Sequence, residues 1–80
     1  MSYRIVFAPV AEEALGKLAS PNHFKTTVAR TLGANPYAHG SMPVGGDGDR
    51  REAVVSCVIV RYMISAGILT ITDVRIIPET

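Results

Sequence analysis

The chain has 80 residues, a hydrophobic content of 48% and a formal net charge of +1 at pH 7. A chain this short makes a single domain, residues 1–80, buries only roughly 60–65% of its unfolded surface, and has no room for a separate cofactor domain. The near-neutral charge argues against nucleic-acid binding by the whole surface and leaves room only for a local basic patch.

Tyr3 to Phe7 reads as a first strand. Pro9 opens a helix, because its missing N–H costs nothing in the first turn. Glu12 and Glu13 then stand where the helix dipole favours negative charge, and Lys17 falls in the last turn. Val10, Ala11, Ala14, Leu15 and Leu18 recur at helical spacing and mark a buried stripe. Ser20-Pro21 starts a second helix, with Phe24, Val28 and Leu32 on one apolar line. Gly33 offers a C-terminal cap and Asn35-Pro36 stops the helix, so the two helices form a hairpin.

Residues 35–49 hold four of the seven glycines and two of the five prolines, a density of breakers that predicts a long loop with no packed element. From Arg50 to Ile77 the chain reads as a β-meander, with a short loop at Ser65-Ala66-Gly67. A hairpin symmetric about Ala66 sets Arg61 opposite Ile71, with Asp73 on the diagonal. Alternation then gives Val58, Val60, Tyr62, Ile64, Ile68, Thr70, Thr72, Val74 and Ile76 one uncharged face. Arg61, Asp73 and Arg75 share the other with Ile59, Met63, Leu69 and Ile71. The order β-α-α-β-β-β predicts an α+β domain, a largely antiparallel sheet with the helical hairpin packed on one face and the other face open.

Arg61 and Arg75 have the chemistry to grip phosphate bidentately, and equally to pair across strands with Asp73. Arg50 and Arg51 are the densest positive charge, suited to phosphate contacts or to a solvated strand end. His39, in the Gly-rich loop, carries an imidazole, a side chain that suits general acid–base work as well as a plain surface position. Ile59, Met63, Leu69 and Ile71 form an apolar patch around the arginines, the mark of an interface. Tyr62 faces the core with its hydroxyl reaching a partner. Cys57, the only cysteine, excludes an intrachain disulfide and reads as a small apolar strand residue. The histidines and cysteine lack zinc-ligand spacing, and no Lys-Ser/Thr follows Gly45-Gly46, so no metal or other cofactor is implied. The apolar runs fall short of the about 18 residues of a membrane span, and the N-terminus lacks a signal-peptide core, so a cytoplasmic location is expected.

Taken in order, these segments resemble the RelE/ParE superfamily of bacterial toxins. Tyr3-Arg4-Ile5-Val6-Phe7-Ala8-Pro9 with Ala11 and Ala14-Leu15 is similar to its opening strand and helix. Asn35-Pro36 with His39-Gly40-Ser41 is similar to the loop after its second helix. Val60-Arg61-Tyr62, Ile68–Thr72 and Val74-Arg75-Ile76 are similar to its closing hairpin. The resemblance implies the toxin component of a type II toxin–antitoxin system, held inactive by a protein antitoxin. Its members include ribosome-dependent mRNA endonucleases and gyrase poisons. In the nucleases, basic side chains on the open sheet face stabilise the transferring phosphate while a general base helps the ribose 2′-hydroxyl attack. On that pattern Arg61, Arg75 and His39 are the catalytic candidates, Arg50 and Arg51 the substrate contacts, and Ile59, Met63, Leu69 and Ile71 the antitoxin seat. The pattern is incomplete. The arginine that stands shortly before the corresponding tyrosine in RelE-like nucleases aligns with Ile59, the basic residue closing the last motif aligns near Glu79, and no aromatic or histidine follows up to Thr80. A non-catalytic binder, gyrase-directed or engaging only an antitoxin, is the alternative.

Overall fold

The structure is a computed structural model that describes residues 3–76, so Ile77, Glu79 and Thr80 lie outside the described residues. In chain order it contains β1 (Arg4–Phe7), α1 (Pro9–Leu15), α2 (Pro21–Arg30), β2 (Met42–Val44), β3 (Asp47–Val55), β4 (Val58–Ser65) and β5 (Ile68–Ile76). The strands form one five-stranded sheet in the order β1-β5-β4-β3-β2. Only β1 runs parallel to its neighbour β5; the other pairings are antiparallel.

Pro9 and Pro21 each occupy the first turn of their helix, as their fixed φ favours. Ala11 and Leu15 of α1, and Phe24 and Val28 of α2, are buried against Ala53, Val55, Val58, Val60, Tyr62, Ile64, Leu69, Ile71 and Val74. Both helices therefore cover one face of the sheet. Val10 is 66% exposed and does not join the expected stripe. Helix α1 stops at Leu15, leaving Lys17 beyond it. Gly33 ends the second helical segment by close approach: a Cβ there would meet the Ala29 carbonyl oxygen at 2.5 Å. Its own carbonyl accepts the Tyr3 N–H at 2.7 Å, which fixes the start of β1.

Three expectations need correction. The segment after α2 contains β2, which pairs with β3, and β3 begins at Asp47, inside the stretch read as loop. Gly45 and Gly46, both at positive φ, turn the chain between them. Cys57 is exposed in a turn, not in a strand. Ser56 and Cys57 both take positive φ, the geometry of a two-residue hairpin turn that glycine or asparagine usually supplies.

The third correction concerns β5. Ser65 pairs with Ile68, so the turn has two residues, Ala66 and Gly67, at φ 50° and 78°. That register turns Leu69 and Ile71 into the core, where both are fully buried, and leaves Ile68 exposed. Leu69 and Ile71 are thus removed from the interface patch. The ladder then slips: Tyr62 pairs with Ile71 but Arg61 pairs with Asp73, and Thr72 is the extra residue of a β-bulge. Strict alternation from Ile71 would have sent Asp73 inward. The bulge returns Asp73 and Arg75 to the open face and Val74 to the core, because burying an unpaired carboxylate costs far more than one broken ladder step.

Candidate functional site

Arg50, Arg51 and Arg61 line one cleft of about 200 Å³, with Arg50 and Arg61 on the open face of the sheet and Arg51 on the other. It crosses four strands and is also lined by Val44, Tyr62, Thr72 and Asp73. The bulge explains its position, since Thr72 is displaced from the ladder beside Arg61 and donates its hydroxyl to the Arg61 carbonyl at 3.2 Å. A second hollow of about 190 Å³, between the helix connection and the Ser56-Cys57 turn, is lined by Leu18, Phe24 and Val58 among others and has no acidic or guanidinium group in its wall.

The three arginines are held differently. Arg51 lies across from buried Tyr62, on the side of the sheet that faces the helices. Its Nε donates to Ser41 Oγ at 2.9 Å, Nη2 to the Ser41 carbonyl at 3.1 Å and Nη1 to the Gly48 carbonyl at 3.1 Å. Its guanidinium also sits 5.4 Å from the centre of the Tyr37 ring. Tyr62 donates its hydroxyl to the Pro36 carbonyl, as expected for a core tyrosine with its polar tip at the margin. Asn35 Oδ1 accepts the Tyr37 N–H at 3.1 Å. The segment from Asn35 to Ser41 is therefore tied down at both ends. Tyr37 donates to Asp49 Oδ1 at 2.8 Å, and this hydrogen bond to a carboxylate raises the phenol above its ordinary pKa of 10.0.

Arg50 and Arg61 belong by register to the open face. Arg61 donates Nε to Glu52 Oε2 at 2.8 Å and faces Asp73 on its other flank. Arg50 forms no ion pair among the described residues. Arg75 is on the same face, 3.7 Å from Asp73 Oδ2, and does not line the cleft. His39 is exposed at φ 60° in the turn closed by Ser41 N–H to the Ala38 carbonyl, and it too lies outside the cleft lining. Asp73 was expected as a cross-strand partner of Arg61 and Arg75, whereas Glu52 and Thr72 were given no part in the site. The only signal for Thr72 was Asp73 standing one residue before an inward valine, where alternation from Ile71 fails.

The open face is also where exposed apolar side chains collect. Of the eight large hydrophobics exposed among the described residues, Val6, Met42, Val54, Met63 and Ile68 share it by register. Ile59 is half-buried there. Arg4, Arg50, Arg61 and Arg75 stand among them against the two acids Glu52 and Asp73. No helix of the described residues is long and apolar enough to cross a membrane.

Among solved structures, the chain is similar to a chain of the toxin–antitoxin complex RelBE2 from Mycobacterium tuberculosis. The TM-score is 0.76 and the identity 19%, over 94% of this chain and 98% of that one. At this identity the likeness is one of fold: a mixed five-stranded sheet with two helices on one face, the RelE-like α+β arrangement. No protein-family profile matches the chain, and no curated protein does.

Proposed function

We propose, from this RelE-like fold, that the chain is the toxin of a toxin–antitoxin pair and inhibits translation by cleaving mRNA on the ribosome. The placement of Arg50 and Arg61 on the open face, both lining one cleft, supports the reading. In such a cleavage the ribose 2′-hydroxyl attacks the adjacent phosphorus and the bond to the 5′-oxygen breaks. Water takes the hydroxyl proton and returns one to the leaving oxygen. The protein's contribution is fixed positive charge around the phosphorane, the largest single effect in chemistry of this kind. Arg50 supplies it uncompensated and Arg61 supplies it when released from Glu52, whereas Arg51, held on the helical side by Ser41 and Gly48, braces the strand that carries Arg50. The partner that silences it is an antitoxin seated on the apolar part of the open face, around Ile59, Met63, Val54 and Ile68.

Two observations favour a second reading. No histidine lines the cleft, and Arg61 is already paired. A non-catalytic relative, gyrase-directed or merely antitoxin-bound, fits those facts. Induced expression with mapping of mRNA ends on ribosomes separates the two. Growth arrest with new mRNA ends, reduced in Arg50→Ala and Arg61→Ala, is the expected result. Arrest with intact mRNA and broken DNA assigns gyrase as the target. Unchanged growth leaves only antitoxin binding.

A further inference from the structure

Glu52 stands directly across the β3–β4 ladder from Arg61, and Asp73 is the ladder partner of Arg61 on β5. Asp73 in turn has Arg75 beside it. The row Glu52, Arg61, Asp73, Arg75 is electrically neutral, whereas Arg50, one step along β3, pairs with no acid among the described residues. The Arg61–Glu52 pair is half-exposed, with side-chain exposures of 50% and 37%. A pair that wet adds little to stability. Among the described residues Glu52 forms no second ion pair, and its other cross-strand neighbour is Met42. What the pair does control is the Nε edge of Arg61, one of the edges on which a guanidinium receives an oxyanion bidentately.

We infer that Glu52 is a specificity-determining residue that competes with ligand phosphate for Arg61, so that a polyanion reaches this arginine only by displacing the carboxylate. The inference rests on the phosphate-binding reading of the cleft. An isolated anion finds Arg50 open and Arg61 taken. A strand that anchors one phosphate on Arg50 brings the next to Arg61 at high local concentration and displaces Glu52 there. The ligand class favoured is therefore single-stranded nucleic acid over lone anions.

The test measures binding of a short oligouridylate at low ionic strength to the full chain and four variants. Glu52→Gln removes the charge and keeps the hydrogen-bond acceptor. It should tighten binding about fivefold, the value of one unit charge at contact distance in water. Glu12→Gln changes net charge equally but lies on α1, 3.2 Å from Lys25 on the helical side. It should change affinity less than about twofold, because separated surface charges are screened. In an Arg61→Ala background, Glu52→Gln should gain nothing over Arg61→Ala alone. Equal tightening by Glu52→Gln and Glu12→Gln overturns the inference in favour of a general field. A gain that persists without Arg61 overturns it in favour of direct repulsion of the ligand. No gain in Glu52→Gln, with the unmodified chain still binding, overturns it and leaves the phosphate reading standing. Absence of binding by every protein removes that reading and the inference with it.

Discussion

Arg50 and Arg51 are neighbours in the chain and sit on opposite faces of β3, and the two faces use arginine in opposite ways. On the helical side, Arg51 spends three donors on Ser41 and Gly48 and braces the segment from Asn35 to Ser41 against the sheet. On the open side, Arg50 makes no ion pair among the described residues and stands among exposed apolar side chains. The adjacent charges look equivalent in sequence. Their worth to a ligand depends on how much of each guanidinium is already committed, and their worth to the fold runs the other way.

The widest expected gap between the faces is hydrophobic. Ile71→Ala, in the packed face, should lower the unfolding free energy by about 2–5 kcal/mol. Met63→Ala, 41% exposed on the open face, should cost less than about 1 kcal/mol. Urea titration of both variants checks the assignment of faces, and equal losses would break it. The arginine pair comes next. Arg51→Ala strips three hydrogen bonds, the two to Ser41 part-buried and the one to the Gly48 carbonyl exposed, and should cost about 1–3 kcal/mol. Arg50→Ala should stay within about 0.5 kcal/mol of the parent in the same assay. It should instead weaken oligonucleotide binding and lower the salt slope by about 0.7 for the lost phosphate contact.

A gain is expected at the Ser56-Cys57 turn. Cys57 holds φ at 64°, where a side chain costs about 1–2 kcal/mol that glycine does not incur, so Cys57→Gly should raise the melting temperature. The smallest effect is on Tyr37, whose neutral phenol is favoured by Asp49, so that its folded pKa lies above the ordinary 10.0. Its contribution is complete below about pH 10, the value in the unfolded chain, and is lost as pH climbs through the raised value. The difference in melting temperature between the parent and Tyr37→Phe should be flat up to about pH 10 and shrink above it.

Much of the architecture was legible because local rules agreed with it. Proline at two helix starts, the line Phe24, Val28 and Leu32, and the alternation from Val58 to Ile64 each pointed to the element that forms. What escaped were features where a residue type is used against its preference. Ala66 and Cys57 accept positive φ, so the turns that set register carry little signal. Register then decided the site: one residue fewer in the Ala66-Gly67 loop exchanged Leu69 and Ile71 for Ile68 and Thr70 on the open face. Strand β2 was hidden by Pro43, which an edge strand tolerates and a central one does not. The arginines at the cleft were visible as charge. The partners that divide them into braced, paired and free were not, because Ser41 and Glu52 meet them only across strands.

Thr72 gives the closing strand one residue more than its ladder needs. Excising it would join Ile71 directly to Asp73 and give an uninterrupted ladder, with Tyr62 still opposite Ile71, Arg61 opposite Asp73 and Val60 opposite Val74. Every side chain would keep its side. Only the local coil of the strand, and the recess it opens at the arginines, would be smoothed away. A one-codon deletion at this spot is thus gentler on folding than most substitutions in the core, and it offers a route by which a lineage could erase the recess while preserving the scaffold.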